Sequence, residues 1–477
     1  MGIGLGSIFD IGRKGLKANL AGLNVAGNNI ANVNTEGYSR EVLTLKPSIP
    51  FKTPHGIFGT GVDIESVRRV RDDIVDMQVR THNTPLGEFE EKEKIYKQLE
   101  NIFNEPSAEY GIREQFERFF DAFHEFANDP ESGSIRTVLR QQAQVLTETI
   151  KRIDQQLVAL SDDIGFEVSQ KVDEINNIAK RIAELNVKIA SSENIGSSAN
   201  QLRDQRDLEL DRLSEITNVY YKETSRRVIN VSVGGNSLVC NGELVSSLKC
   251  IDISDGVNLL SKVTGAESGL EFVTNSGRLK GLLDCRNEII PEYRERLNLF
   301  AKTLISQVNN LHRNGVGLKG SQVEVPHDND FFTGTDASNI GLSDAIKLSV
   351  NNIAAAERIE TVDESGQTVI SGTPGDNKIA LQIANLRGVL IFESNTETFD
   401  DYFSKTIGAL GVEARDAKDN AARQKMIVTQ FKNLRDSTSG VSLDEELTYL
   451  IRYQRGYQAA ARIISTVDEM FLTLINM

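Results

Sequence analysis

Residue types that support several common functions are scarce in this chain of 477 residues. Tryptophan is absent, and the three cysteines, Cys240, Cys250 and Cys285, form no C-x-x-C pair, which argues against a zinc site. No apolar run approaches the roughly 18 residues that a membrane-spanning helix needs. The opening segment MGIGLGSIFDIG lacks a preceding basic region and a following cleavage pattern. We therefore expect neither membrane insertion nor a secretory signal peptide.

Positive charge is also in deficit, because the formal net charge is −15 at pH 7. An acidic surface of this kind argues against nucleic acid as the main partner. For the cysteines, the sequence favours buried side chains that act as small hydrophobic groups, and a Cys240–Cys250 disulfide is the alternative.

Complete catalytic or metal-binding motifs are missing as well. GVGLKG, residues 315–320, matches G-x-G-x-x-G, but a helix precedes it and an extended segment follows, so it is interpreted as a turn rather than a phosphate site. His124 and Glu125 begin a zinc-protease pattern, yet Asn128 stands where the second histidine ligand is needed. No G-x-S-x-G nucleophile elbow occurs. The sequence therefore predicts no enzyme, no cofactor and no metal site.

The clearest periodic pattern lies at the end of the chain. Apolar or small residues recur every three or four positions over residues 443–475, which predicts a helix with one apolar side. A shorter pattern with the same steps covers residues 16–30. We therefore predict that the two ends pair as a coiled-coil stem. The predicted assembly seam consists of Leu16, Leu20, Leu23, Ile30, Leu443, Leu447, Leu450, Tyr457, Ile464 and Phe471.

The N-terminal helix carries a heavy glycine load, with seven glycines in its first 34 residues. Each glycine inside a helix costs about 1 kcal/mol relative to alanine, so we expect this end to be disordered or frayed in the free monomer. The asparagines that follow have two interpretations. They either end the helix or set the register of a helical bundle. These residues are Asn28, Asn29, Asn32 and Asn34.

The middle of the chain is predicted to be mainly helical. A phenylalanine-rich face within residues 112–127 is typical of a helix-bundle core. The expected helices span residues 72–79, 87–103, 112–127, 134–191 (with a kink at Gly165), 200–216, 276–311 and 377–390, followed by a final helical section with a break at 437–440. Extended or strand-like segments are expected over residues 39–70, 217–275, 346–350 and 360–370.

These elements predict an α+β fold, predominantly α, because the β segments are nested inside helical ones. The ends, 1–45 and 435–477, would form the coiled-coil stem. Residues 46–216, 276–315 and 377–434 would form an elongated helical-bundle domain. Residues 217–275, with or without 316–376, would form a small β-rich domain inserted at the tip, farthest from both termini.

Five segments of the chain resemble one known family. They are AGNNIANVNTEGYSR, RRVRDDIVDMQVR, NQLRDQRDLELDRLSEI, GRLKGLLDCRNEIIPEYRERLNLFAKTLISQVNNLHRNG and SLDEELTYLIRYQRGYQAAARIISTVDEMFLTLINM. The first and last are similar to the terminal signatures of the flagellar axial proteins, which comprise rod, hook and hook-associated proteins. The three internal segments resemble the hook-associated members in the same order. The resemblance does not extend residue for residue to 217–275 and 320–376.

The resemblance implies a structural adaptor without catalytic activity. Such a protein is secreted by the flagellar type III apparatus and lies outside the cell at the hook–filament junction. The implied partners are other copies in a ring of about eleven subunits, the hook protein, the next hook-associated junction protein with the filament, and an export chaperone on the C-terminal helix. Another axial protein, such as the hook or distal rod subunit, or an axial protein with an adhesive tip domain, is the alternative.

Overall fold

The computed structural model describes residues 5–53, 56–103, 111–194, 198–318, 329–362, 368–373 and 375–476. The helices of these residues are α1 Leu5–Ala31, α2 Asp73–Phe103, α3 Ile112–Asn128, α4 Gly133–Asn194, α5 Asn200–Ile216, α6 Arg278–Asp284, α7 Ile290–His312, α8 Asp344–Leu348, α9 Lys378–Asn385, α10 Phe399–Ser439 and α11 Leu443–Ile475, with a π-helical turn at Cys285–Ile289 and 3₁₀ turns at Val350–Asn352 and Leu386–Gly388.

The strands of the described residues are short and form separate antiparallel groups. One four-stranded sheet has the order β5-β6-β7-β8, and the remaining strands pair two by two. They are β1 Glu41–Pro47, β2 Phe51–Thr53, β3 Gly56–Phe58, β4 Val62–Arg69, β5 Val219–Glu223, β6 Ile229–Val233, β7 Asn236–Cys240, β8 Glu243–Leu244, β9 Leu248–Ser254, β10 Leu259–Gly265, β11 Gly315–Val316, β12 Phe332–Thr333, β13 Gly341–Leu342, β14 Ala356–Glu357, β15 Ile359–Val362 and β16 Thr368–Ser371.

The predicted α+β fold with paired terminal helices is confirmed. The longest helix of the described residues is α4. The 62 residues of α4 span about 90 Å at 1.5 Å per residue. The kink expected at Gly165 is absent, since α4 is one continuous helix. Gly165 instead allows a close approach, because a Cβ there would overlap the guanidinium of Arg286.

The phenylalanine-rich face lies in the main hydrophobic core, as predicted. Phe116, Phe119, Phe120, Phe123 and Phe126 of α3 are all buried. The rings of Phe116, Phe119 and Phe123 contact aromatic residues of α7, α10 and the segment after residue 328, at centroid distances between 5.3 and 6.0 Å. This phenylalanine-rich part of the core lies at the end of the molecule away from α1 and α11.

The position of the larger β region differs from the prediction. Strands β5–β10 do not occupy the far tip but lie beside the second half of α4. Asn186 in α4 receives the amide of Ile229 at 3.0 Å and donates to its carbonyl at 2.8 Å, and Asn176 pairs with Leu248 in the same way at 2.8 Å. The reason is that α5 is short. It has 17 residues and returns along only a small part of the 62-residue α4, so the sheet that follows it begins close to the stem.

The far tip is formed by α3, α9 and the short strands β11–β16. None of these strands pairs with β5–β10 in the described part of the chain, so residues 217–275 and 316–376 are not one β domain. Gly315 and Val316 of the GVGLKG motif belong to β11, while residues 319 and 320 lie outside the described residues.

Two local predictions were wrong. Residues 72–103 form the single helix α2, which continues through Pro85, where two helices were expected. Contacts with α5 support α2 next to this proline, since the Thr84 hydroxyl donates to the carbonyl of Ser214 at 2.7 Å. Residues 346–350 lie in α8 and a 3₁₀ turn rather than a strand, because the Ser343 hydroxyl caps α8 by accepting from the amide of Ile346.

The remaining predicted extended segments are strands. The segment 39–70 contains β1–β4, and 360–370 overlaps the hairpin of β15 and β16. However, β1 and β4 pack beside α1, so residues 46–69 lie with the stem and not with the helical bundle assigned to 46–216. Lys14 of α1 contacts this hairpin through Ser48 at 2.9 Å and Asp63 at 3.0 Å.

Candidate assembly site at the paired termini

The stem, which we define as α1 and α11, is held together by small residues. Gly22 faces the Tyr453 ring, and a Cβ at this position would lie 2.6 Å from the ring. Gly12 faces Ile464 in the same way, since its Cβ would lie 2.9 Å from the Ile464 side chain. The absence of a side chain therefore lets the two backbones approach closely.

The predicted seam forms this contact only in part: Ile464 faces Gly12, but the closest residues of α1 are not its leucines. Gly12, Gly15, Asn19, Gly22, Ala26 and Asn29 repeat in steps of three and four, one position before the predicted seam of α1. One position is about 100° around a helix, which turns the predicted residues to the side of the contact. None of the predicted seam residues is fully buried; they are Leu16, Leu20, Leu23, Ile30, Leu443, Leu447, Leu450, Tyr457, Ile464 and Phe471.

 Four of the ten are more than a third exposed, with Leu447 at 49%.

The face of α11 that meets α1 is also formed mainly by residues that the predicted seam did not include. Ala460 and Val467 are buried, and Gly456 lies against the Asn19 side chain. This leaves Leu443, Leu447 and Ile451, one turn apart, as a half-exposed apolar stripe that we call the α11 leucine stripe. The signal for the true contact was present in the sequence, but the glycines of α1 were interpreted only as helix-weakening residues.

The expected disorder of the N-terminal end is not seen over residues 5–31. This segment is helical in the single chain and lies against α11. The glycines that weaken the isolated helix are the residues that permit its packing, so the same positions cost helix propensity and enable the contact.

The asparagines near the end of α1 were expected either to end the helix or to set the register of a bundle. Asn29 has a different role. Asn29 is fully buried, and its side chain pairs with the backbone of Glu41 at the start of β1, with both hydrogen bonds at 2.9 Å. The Tyr38 hydroxyl donates to the same side chain at 2.8 Å. The side-chain amide therefore takes the place of a neighbouring strand and fixes the angle between α1 and the β1–β4 hairpin.

An ion cluster joins the stem and its hairpin to the helical body, and we call it the basal ion cluster. Three of its carboxylates project from one face of α5 at steps of three and four residues, and the fourth comes from α2. Its guanidinium groups come from β4, α2, α10 and the loop before α2. Two of the segments that resemble the flagellar family, RRVRDDIVDMQVR and NQLRDQRDLELDRLSEI, meet here. The members are Arg69, Arg71, Asp76, Arg80, Asp204, Asp207, Asp211 and Arg435.

Asp207 lies at the centre of the basal ion cluster. Its carboxylate contacts Arg69 at 2.8 Å and Arg71 at 3.0 Å, and its side chain is only 14% exposed. Burial alone would raise the pKa of Asp207, but Arg71, Arg69 and Arg80 together hold this pKa below its ordinary value. The neighbouring Asp204 accepts from both the amide and the hydroxyl of Ser39, which ties the start of the hairpin to α5.

The end of α10 and the start of α11 are tied to the same region. Arg435 near the end of α10 reaches Asp211 at 2.7 Å. Arg40 donates to the buried carboxylate of Glu446 in α11 at 2.8 Å, and its amide donates to the carbonyl of Ser439 at 2.9 Å. The orientation of the stem is therefore set by charged and polar contacts rather than by the main hydrophobic core.

The cysteines are free thiols in the structure, so the alternative of a Cys240–Cys250 disulfide is not adopted. Cys285 is buried, and burial raises the pKa of its thiol to about 12. Over the described ranges, no group of three or more His, Cys, Asp and Glu side chains is placed to hold a metal ion. The helices of the same ranges include none long and apolar enough to cross a membrane.

Comparisons with known families match three parts of the chain. The flagellar hook-associated protein FlgK helical domain matches residues 96–332. The flagella basal body rod protein model matches residues 9–38, and the flagellar basal body rod FlgEFG protein C-terminal model matches residues 435–477. The two rod matches cover most of the stem, and the first covers the helical body with the β5–β10 region.

Similar proteins align over almost the whole chain. Flagellar hook-associated protein 1 of Bacillus subtilis is 28% identical over an alignment 513 positions long. The alignment covers 98% of this chain and 97% of that protein. The protein of the same name from Escherichia coli is 25% identical, with 99% of this chain and 100% of that protein covered. The solved structure of the flagellar hook junction protein FlgK from Burkholderia pseudomallei has a TM-score of 0.62 at 17% identity and covers 76% of this chain and 100% of that one.

The paired terminal helices, together with matches at both ends and in the middle, define a flagellar axial protein. Within that class, the chain is similar over almost its whole length to proteins named flagellar hook-associated protein 1, and its residues 96–332 match the FlgK helical domain.

The close contact in the stem predicts opposite effects for two glycines of α1. Gly22→Ala should loosen the stem by roughly 1–3 kcal/mol, because its methyl group would overlap the Tyr453 ring. Gly27→Ala is the matched control, since a Cβ there meets nothing within 4 Å, and it should stabilise the helix by about 0.5–1 kcal/mol. Hydrogen exchange of residues 12–31 should be faster in the first variant and slower in the second. Equal exchange in both variants would contradict the assigned contact face.

The basal ion cluster predicts a large stability loss for Asp207→Asn. Breaking a buried ion pair on one side costs roughly 3–5 kcal/mol, and Asp162→Asn, an exposed carboxylate on α4, is the control. Because the folded pKa of Asp207 lies below the ordinary 3.8, its contribution is present above pH 3.8 and is lost as the pH falls through the folded pKa. Urea unfolding at pH 6 and pH 3 measures both effects. Equal stabilities of wild type and Asp207→Asn at pH 6 would refute the assignment.

Proposed function

We propose that this chain is a structural adaptor that forms the first junction ring between the hook and the filament of a bacterial flagellum and allows the filament to assemble. The observation that carries the proposal is full-length similarity, since proteins named flagellar hook-associated protein 1 align with 98% and 99% of this chain. The helical-domain match over residues 96–332 favours the junction protein over another axial protein, such as a hook or distal rod subunit.

The stem supplies the surface for assembly in this proposal. The small-residue contact uses one face of each helix and leaves the α11 leucine stripe to water, with Leu443 at 46%, Leu447 at 49% and Ile451 at 49% exposed. Burying one fully exposed leucine is worth roughly 1.5–3 kcal/mol, so a neighbouring copy that covers these three half-exposed side chains gains about half of that value from each. The predicted seam is thus retained as a proposed contact between subunits rather than within one subunit.

The partners follow from this assignment. We ascribe to the chain a ring of about eleven copies, with the hook protein on one side and the next hook-associated junction protein and the filament on the other. Export through the flagellar type III apparatus would carry it out of the cell, and a cytoplasmic chaperone would cover α11 before export. We ascribe no catalysis to it, as befits a structural component.

Deletion of the gene tests the junction role directly. Cells without the protein should carry bare hooks and release monomeric flagellin, because hooks form but filaments have no ring to grow from. Electron microscopy and an assay of flagellin in the medium measure both results. Missing hooks would assign the chain to the rod or hook instead, and normal filaments would contradict the junction role.

The α11 leucine stripe can be tested by complementation of the same deletion strain. Leu443→Asp with Leu447→Asp should leave the isolated chain folded, because both side chains are about half exposed, and should prevent filament formation. The matched control is Phe166→Asp with Val187→Asp, two residues exposed to 66% and 58% on α4. Far-UV circular dichroism checks folding, and a count of filaments checks assembly. Normal filaments from the stem variant would exclude the stripe as a subunit contact.

A further inference from the structure

A buried cation without a counter-ion lies at the far tip, away from the stem. Arg136, in the first turn of α4, is only 1% exposed. No carboxylate of the described residues forms an ion pair with it, whereas the buried arginines of the basal ion cluster each contact at least one aspartate. Burying a charged side chain is costly unless it is paired, so the surroundings of Arg136 must offset its charge in another way.

Neutral groups offset part of that charge. The Nε of Arg136 donates to the carbonyl of Pro130 at 2.9 Å, and its Nη1 donates to the carbonyls of Ile353 at 2.7 Å and Val350 at 3.3 Å. The guanidinium also lies over the Phe126 ring, 4.7 Å from its centroid. The remaining nitrogen, Nη2, donates no hydrogen bond to any residue that the structure describes.

The segment that supplies two of these carbonyls is held independently of Arg136. The amide of Ala354 donates to Nε2 of the fully buried His312 at 2.8 Å, and Nδ1 of the same ring bonds the carbonyl of Asn329 at 2.7 Å. Loss of the arginine contacts therefore leaves other bonds that keep residues 350–356 in place.

A cavity of about 420 Å³ is lined by Arg136 and by polar groups of another segment. The hydroxyl-bearing residues Ser371 and Thr373 line it, together with glycines that leave the backbone accessible. Two acidic residues, Glu131 and Asp376, also line it. Asp376 accepts from two backbone amides, at 2.8 and 3.2 Å, and Glu131 is exposed to solvent. Neither of these two carboxylates forms an ion pair with the guanidinium.

We propose that this cavity binds an oxyanion, a carboxylate or phosphate group, that pairs with the guanidinium of Arg136 and accepts hydrogen bonds from Ser371 and Thr373. Nε and Nη1 already donate to the carbonyls of Pro130, Val350 and Ile353, so Nη2 is the nitrogen left to donate a charge-assisted hydrogen bond to such a group. A purely structural Arg136 would cap the carbonyls of Pro130, Val350 and Ile353 and would bind no anion. The site lies at the far tip, so its existence does not depend on the role of the stem.

Binding can be measured on the full chain with inorganic phosphate and acetate as probes. Sodium phosphate should raise the melting temperature by roughly 2–4 °C in a saturable way relative to sodium chloride at equal ionic strength. Hydrogen exchange should slow at residues 350–356 and 371–376. A response to phosphate alone identifies a phosphate site, and a response to acetate alone identifies a carboxylate site. A saturable response to neither probe would overturn the proposal.

Variants separate the anion site from the structural role of Arg136. Ser371→Ala with Thr373→Ala leaves every hydrogen bond of Arg136 intact and should weaken phosphate binding roughly a hundredfold, which corresponds to the loss of two hydrogen bonds to a charged group. Ser161→Ala, a hydroxyl on α4 outside the cavity, is the control. Arg136→Lys keeps the charge without the Nη2 donor and should also bind more weakly. Unchanged affinity in the double variant would overturn the assignment, even if Arg136→Lys fails to fold.

Discussion

The close approach of α1 and α11 is the constraint on which the rest of the account depends. The glycines of α1 leave space for two large side chains of α11, since Gly22 lies against the Tyr453 ring and Gly12 against Ile464. Leu443 and Leu447 lie outside this contact and are left about half exposed. A single chain thus carries a folded stem and, on the same helices, an apolar surface that only another molecule can cover.

The stem is joined to the body by polar contacts, which has a mechanical consequence. The main hydrophobic core of the described residues begins at Ile95 and includes neither α1 nor α11. Asp204 and Asp207 of α5, with arginines from the hairpin and α2, hold the base of the stem instead. Ion pairs and hydrogen bonds are directional, so they set the angle of the stem without merging it with the rigid body.

Much of the fold was predictable because long helices carry strong periodic signals. The seam of α4 located nearly all of its 62 residues, and α5 was predicted at its observed bounds. Two helices were predicted where α2 is continuous, because contacts with α5 support the residues between them in the helix. The contact face of the stem was missed since leucine and glycine stripes of equal period lie one position apart. The three-dimensional structure decides between the two stripes, because it places Gly22 against the ring of Tyr453.

The most direct test is a structure of the assembled hook–filament junction by cryo-electron microscopy. The account predicts that Gly22 still lies against Tyr453 within each subunit. It also predicts that Leu443, Leu447 and Ile451 are buried against a neighbouring copy. A junction in which α1 and α11 have separated, or in which these three residues still face water, would contradict the central claim.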